Sequence, residues 1–455
     1  MEFEVNAEAI RNFNEKSESL LLELRPHPQS MSTAQQRPFK PEVFLSGTLT
    51  EKDFRADPTG NLMDSDQFPI AEYFVWKGKE VGLFEESFQM LQQLAENLGR
   101  IKPFRDRVGD KYLRKIFMEW AKGRYTGAAH STELVAYLVA RCKEDVTEQE
   151  VWTPIAYLSI EAEFRIGQVT FRPISEKIVD RWENSWLAGG RASADDIRRR
   201  MRGIRKEVQG KAAAVVKLIA EPAYATELAL AHTEESVNLL LFFSRGALSP
   251  KWVSYYRPLG RENVETVQHY SFRPGKDIPI INKRIFGVIP EPWLLSIGEI
   301  EHIKPLGLNQ MDALLDQGNN STFRQELRDA LFMYSRCAVA KEPADKLVYV
   351  LVCLESLLLR DRSEFITQNI SERLAVVLGR SLEERKRIIA NVKEAYDLRS
   401  RLLHHGKPLK DLKSLKEFMV SAWTFLFKII KNWQRYPSKI DLINEIDDLK
   451  LSPKS

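Results

Sequence analysis

The chain has 455 residues, 44% hydrophobic and 29% charged, with a net charge of +4. Such a length exceeds one ordinary core and points to two or three domains, and the composition is that of a soluble globular protein rather than a disordered one. No stretch supplies the roughly 18 uncharged apolar residues of a membrane span, the opening MEFEVNAEAIRNF lacks the regions of a signal peptide, and Cys142, Cys337 and Cys353 lie far apart with no CxxC pair, which speaks against a disulfide framework or zinc site and fits a reducing cytoplasm.

In chain order, residues 25–42 are rich in Pro, Ser and Gln and read as a surface loop or linker. The run 43–50 (VFLSGTLT) reads as a short strand. Helical spacing occurs at 84–99 through Phe84, Phe88, Leu91 and Leu94, at 110–121 through Leu113, Phe117 and Trp120, and again at 131–142. The alternation in 151–175, with its Ile-Gly-Gln break at 166–168, predicts a strand pair with a tight turn. A loop over 188–196 ends in candidate N-caps and leads into a strongly basic helix at 197–211. A strand at 212–220 and a helix at 223–243 follow, and then short strands between 250 and 310 broken by Pro274, Pro279, Pro290 and Pro292. These segments divide into a mixed α/β region over 1–150 and a middle α+β region over 151–319.

Beyond residue 320 the pattern is helical throughout, at 322–338, 344–359, 370–378, 383–403 and 409–435. In the last of these, Leu412, Leu415, Met419, Ala422, Leu426, Ile429 and Trp433 form one long apolar face. The expectation is an α-helical bundle over 320–455 and an α+β fold for the whole chain. This part holds 25 Lys and Arg against 18 Asp and Glu, a net +7 that leaves −3 for the rest. A mildly basic unit suits an anionic partner such as RNA, and equally a helical domain with solvated lysines.

Two of the seven histidines stand side by side in 396-YDLRSRLLHHGKP-408. Gly406 fits the left-handed C′ position of a helix and Pro408 blocks continuation, so His404 and His405 fall in the last turn. The negative end of the helix dipole favours an imidazolium there. Arg399 precedes His404 by five residues, while Arg401 and His405, four apart, share a face more directly. An Arg-x4-His pair alone is close to a chance pattern, and cations capping a helix C-terminus explain it equally well.

Three pieces in order carry more: 354-LESLLL-359 ending one helix, 371-SERLAVVLG-379 in the next, and 396-YDLRSRLLHHG-406. Together they give the region from about 330 to 407 a form that resembles an ApeA-type HEPN domain, with the last piece similar to the family's Arg-Ser-x3-His-Gly signature. Here His405 stands between His404 and Gly406, where the family has glycine directly after the histidine; spacing from Arg399-Ser400 favours His404. The resemblance implies metal-independent, cofactor-free RNA cleavage by a homodimer formed through the C-terminal bundle. It also implies a place among anti-phage abortive-infection effectors that cut host tRNA or other RNA, with the N-terminal region sensing a phage trigger or restraining activity. On that reading Arg399 clamps the phosphate, His404 is general acid or base, and Ser400 orients the phosphate or a nucleotide. The second imidazole comes from a partner's His404 or from His405. The rival reading is a bundle that binds RNA or a nucleotide, or only dimerises, without cutting.

Glu355 lies in an apolar helix, where a carboxylate needs a partner, and Arg399 or Arg401 is the candidate. The basic helix offers Arg198, Arg199, Arg200 and Arg202 to RNA phosphates, or simply a solvated face. In 251-KWVSYYRPLG-260, Trp252, Tyr255 and Tyr256 are either base-stacking residues or strand aromatics packing a core. His27, His130, His232, His269 and His302 show no ligand spacing, so no metal is expected. The chain has no Walker-type loop, GxGxxG, HExxH or GxSxG.

Overall fold

A computed structural model describes residues 3–27, 59–63, 69–127, 132–190, 192–261, 266–271, 280–285, 291–315, 321–405 and 412–451, with backbone only for 59–63, 266–271, 280–285 and 403–405. The expected strand at 43–50, most of the expected linker, and Gly406 and Pro408 lie outside these residues. The architecture is α+β, and the chain divides into two compact units. Unit 1 is Met1–Val151 with Lys217–Leu228, and unit 2 is Trp152–Val216 with Ala229–Ser455. The expected middle and helical regions thus fall together in unit 2, apart from 217–228.

Unit 1 contains α1 (Ala7–Leu22), an antiparallel sheet of β1 (Arg25–Pro26), β2 (Thr59–Met63), β3 (Pro69–Trp76) and β4 (Lys79–Phe84) in the order β1-β4-β3-β2, then α2 (Glu86–Gly99), α3 (Asp110–Thr126) and α4 (Leu134–Asp145). Lys77 and Gly78, both at positive φ, make the two-residue turn that joins β3 to β4. The apolar faces of α2 and α3 (Phe88, Leu91, Leu94, Ile116, Phe117, Trp120) bury against Phe74, Val81 and Leu83 of the sheet. Of the two buried polar residues of α1, Ser17 donates to the Asn14 carbonyl and Asn14 serves as a cap. Asn14 accepts from the Val135 amide at 3.0 Å, satisfying a free N–H at the start of α4.

β5 (Thr147–Pro154) runs from unit 1 into unit 2, which continues with β6 (Leu158–Ile160), β7 (Phe164–Ile166) and β8 (Val169–Pro173). The expected hairpin is β7–β8, turned by Gly167 at φ +60°. A helical pair, α5 (Glu176–Ala188) and α6 (Ala194–Val208), leads to β9 (Ala212–Ala220), completing a sheet in the order β5-β9-β8-β7. After α7 (Pro222–Leu241) and α8 (Arg245–Leu248) come the hairpin β10 (Thr266–Ser271) and β11 (Ile280–Ile285), then β12 (Trp293–Leu295), which pairs in parallel with β6. Residues 251–260 form no strand.

The helical part follows as α9 (Ile297–Ile303), α10 (Asn309–Leu314), α11 (Thr322–Val339), α12 (Pro343–Leu358), α13 (Ile366–Leu378), α14 (Leu382–His405), α15 (Leu412–Asn432) and α16 (Lys439–Leu451). The most apolar of these, α12, buries Leu347, Val350, Leu351, Cys353, Leu354, Leu357 and Leu358 and packs against α11, α13, α14, α15 and α16. A helix with so many neighbours has almost no solvent stripe, which is why its sequence reads as a near-continuous apolar run. The expected helix over 409–435 ends at Asn432, continues as a single 3-10 turn over Trp433–Arg435, and is followed by α16. Against α13 and α12, α16 is held by Asp447, which accepts from the buried Arg373 at 2.9 and 3.0 Å.

Candidate functional site

Helices α13 and α14 form a hairpin with an open cleft of about 1000 Å³ along it. On α14 the lining residues Ile389, Lys393, Tyr396 and Ser400 step by four, three and four, so one helical stripe makes that wall. Thr367, Gln368, Ser371 and Glu372 of α13 make the other, and Asp397 and Arg399 complete the rim. The cleft is polar on both sides. Lys393 is exposed and, among the described residues, has no carboxylate partner.

Arg399 stands beside the stripe rather than on it, which turns it toward α12. Its Nη1 donates to Glu355 Oε1 at 3.3 Å, and the Tyr396 hydroxyl donates to the same oxygen at 3.0 Å. Of the two arginines offered to Glu355, Arg399 is the one that reaches it; Arg401 turns back to the Asp397 carbonyl. Burial, and then the adjacent Glu355 carboxylate, hold the Tyr396 phenol well above its usual range. It therefore stays protonated at neutral pH and acts as a donor. Arg399 keeps 34% of its side chain exposed and Glu355 21%, so the guanidinium is oriented on one side and open on the other. That geometry suits an anion arriving from the cleft, which either shares Arg399 with Glu355 or displaces it.

Ser400 lines the cleft and is exposed. Residues 404 and 405 end α14, one helical turn past Ser400 and Arg401; their side chains lie outside the described residues. Arg399, Ser400 and Glu355 are thus brought together by α12, α13 and α14. The supporting part played by Tyr396 and the exposed ammonium of Lys393 were not assigned from sequence. Their signal was the i, i+3, i+4 spacing leading to Ser400, readable only once α14 is known to face α13.

The four arginines of α6 are elsewhere in the fold. The helix starts at the Ser193 cap, whose side chain accepts from the Asp196 amide at 3.1 Å. Its packing neighbours are α5 and the sheet, whereas those of Arg399 are α12 and α13. Arg198 lies 3.8 Å from Asp195 and Arg199 pairs with Asp196. Arg200 and Arg202 are exposed and, among the described residues, form no salt bridge, though behind the hydrogen bonds from Ser193 and Arg199, Arg200 helps hold the Asp196 carboxyl below its usual range. The stretch 251–260 is a loop in which Tyr255 is buried against Tyr157, Tyr256 packs on Trp293, and Arg245 covers Trp252. Among the described residues no group of three His, Cys, Asp or Glu side chains is arranged to hold a metal, and all three cysteines are buried free thiols. Compared with known proteins, the chain matches no family model, no curated protein and no solved structure.

Proposed function

We propose that the protein is a metal-independent endoribonuclease of the HEPN type, cytoplasmic, homodimeric through its C-terminal bundle, and acting in anti-phage abortive infection. What supports this most is the setting of Arg399. It is held by Glu355 and left a third exposed at the rim of a polar cleft that Ser400 also lines. In the reaction the ribose 2′-oxygen forms a bond to the adjacent phosphorus as a base removes the hydroxyl proton. The bond to the 5′-oxygen then breaks as an acid protonates the leaving group, giving a 2′,3′-cyclic phosphate and a 5′-hydroxyl. Arg399 stabilises the charge that gathers on the non-bridging oxygens, and His404 is the acid or base. The second proton-transfer group is His405 or the His404 of a second copy. The α6 arginines Arg200 and Arg202 are secondary candidates for phosphate contacts.

The experiment is incubation of the full chain with total RNA in EDTA, comparing wild type with Arg399→Ala, His404→Ala and His405→Ala. The expected result is cleavage by wild type and a loss of about 100-fold or more in the first two variants, the scale of removing one acid-base or charge-stabilising group. Cleavage that survives both Arg399→Ala and His404→Ala overturns the site. Growth arrest on induced expression, relieved by His404→Ala, is the expected cellular counterpart.

A further inference from the structure

A second concavity of unit 2 is built around the aromatic loop 251–260. Its volume is about 440 Å³, in the range of small-molecule sites, and its walls include Trp252 and Tyr256 from the loop, Trp293 from β12, Arg245 from α8 and Glu291 at the rim. The loop has neither helix nor strand, yet its backbone is held firmly. Lys346 of α12 is fully buried, and its ammonium donates to the carbonyls of Cys337, Trp252 and Gly246 at 2.6, 2.8 and 3.2 Å. The Ser254 amide donates to the Ala338 carbonyl, and its hydroxyl to that of Ser244, both at 2.8 Å. Gly246 sits so close to the Ala338 carbonyl that a Cβ would lie 2.3 Å from its oxygen. A buried ammonium served only by neutral carbonyls among the described residues is a costly way to fill a core. Two of the three carbonyls it grips belong to residues lining this cavity, as expected for a preorganised site.

The chemistry of the walls selects the ligand. The Tyr256 and Trp293 rings are 5.0 Å apart at a 36° tilt, and the Arg245 guanidinium lies 5.3 Å over Trp252, so flat π surfaces and one planar cation surround the space. At the rim Arg245 is three-quarters exposed and only loosely paired, 3.8 Å from Glu291. The Glu299 carboxylate is already engaged by the Ser296 amide and hydroxyl, each at 2.9 Å. Burial keeps the Tyr256 phenol neutral, pushed up to about 12. We propose that this cavity binds a nucleotide, its base stacked among Trp252, Tyr256 and Trp293 and its phosphate on Arg245. The same chemistry is offered by a free nucleotide and by one residue of single-stranded RNA. The site stands whether or not the α13–α14 cleft is catalytic.

The test is titration of the full chain, by tryptophan fluorescence and calorimetry, with adenosine monophosphate, uridine monophosphate, adenosine, ribose 5-phosphate, inorganic phosphate and a short oligouridylate. Both mononucleotides, or only the oligonucleotide, are expected to bind, and that difference identifies the source. Trp293→Ala and Tyr256→Ala are expected to weaken binding roughly tenfold, the scale of one lost stacking contact. Arg245→Ala, at an exposed position that does not threaten folding, is expected to weaken nucleotide but not adenosine binding. Three results overturn the proposal. They are no binding of mononucleotide or oligonucleotide at millimolar concentration, inorganic phosphate binding as tightly as adenosine monophosphate, and undiminished affinity in folded Trp293→Ala and Arg245→Ala proteins.

Discussion

At Arg399 one guanidinium has two claimants. Glu355 holds it in the resting chain, and on the proposed reading a phosphate shares it or takes it over. A partly exposed ion pair of this kind is worth at most about 1 kcal/mol, small enough to be exchanged but large enough to set the side-chain rotamer. Glu355→Ala is therefore expected to act with opposite signs on two measurements. RNA binding tightens by up to about fivefold, because the competing carboxylate is gone, while turnover falls about tenfold because Arg399 is no longer aimed. Single-turnover cleavage with a separate filter-binding titration checks this; slower turnover with weakened binding would mean that Glu355 merely supports the fold. Glu355 was legible in the sequence as a carboxylate needing an arginine. Which arginine was not, since Arg399 and Arg401 are both within reach in sequence and only the facing of α14 on α12 separates them.

At the scale of elements, the bundle is closed by a charged cluster rather than by apolar contacts alone. Arg373 of α13 is 2% exposed and donates to Glu364, to Asp447 of α16 and to the Leu358 carbonyl that ends α12. Burial alone would raise the Asp447 pKa, but hydrogen bonds from Arg373, Arg360 and Lys450 outweigh it and hold the carboxyl well below its usual range. Hydrogen bonding to Arg373 lowers Glu364 likewise. Both folded-state values are depressed, so their stabilisation is fully present above the ordinary carboxylate range, about pH 4, and is lost as pH falls below it. Urea unfolding at neutral and acidic pH is expected to show this loss in wild type and much less of it in Asp447→Asn. At neutral pH, Asp447→Ala is expected to cost on the order of 3 kcal/mol by leaving a buried guanidinium half satisfied. The helix that carries Asp447 had its own sequence signal, a Ser438 cap with Asp441 three residues on and buried Leu442, Ile443 and Ile446. Its shortness kept that signal below the longer pattern before it. Helices α1 and α5 were harder to see, because the inner face of α1 is half polar and α5 buries only Val179 completely.

Across the whole molecule, the chain does not complete one unit before starting the other. Residues 217–228, the end of β9 and the start of α7, belong to unit 1. There the Glu221 amide donates to the Arg107 carbonyl at 2.7 Å, Lys217 pairs with Glu150, and the Tyr224 ring packs so closely on Gly109 that a Cβ would lie 2.8 Å away. A fragment ending at residue 151 lacks all of this. It is expected to melt lower and less cooperatively than unit 1 within the full chain, as read by hydrogen exchange at α3 amides. Equal protection would show that 217–228 is dispensable.

The sequence by itself determined the α+β class, the hairpin at Gly167, the strand at 212–220 and the main bundle helices. Each is a matter of local spacing, capping or turn chemistry, which a few consecutive residues encode. Tertiary structure alone decided that Arg399 rather than Arg401 meets Glu355, that Tyr396 and Lys393 share a wall with Ser400, and that Arg373 bridges α13 to α16. It also decided that Trp252, Tyr256 and Trp293 surround one cavity over a buried Lys346. Those facts depend on which helix face meets which neighbour, over separations of up to 94 residues between Trp252 and Lys346. No local periodicity carries that information; burial of the summed apolar faces does.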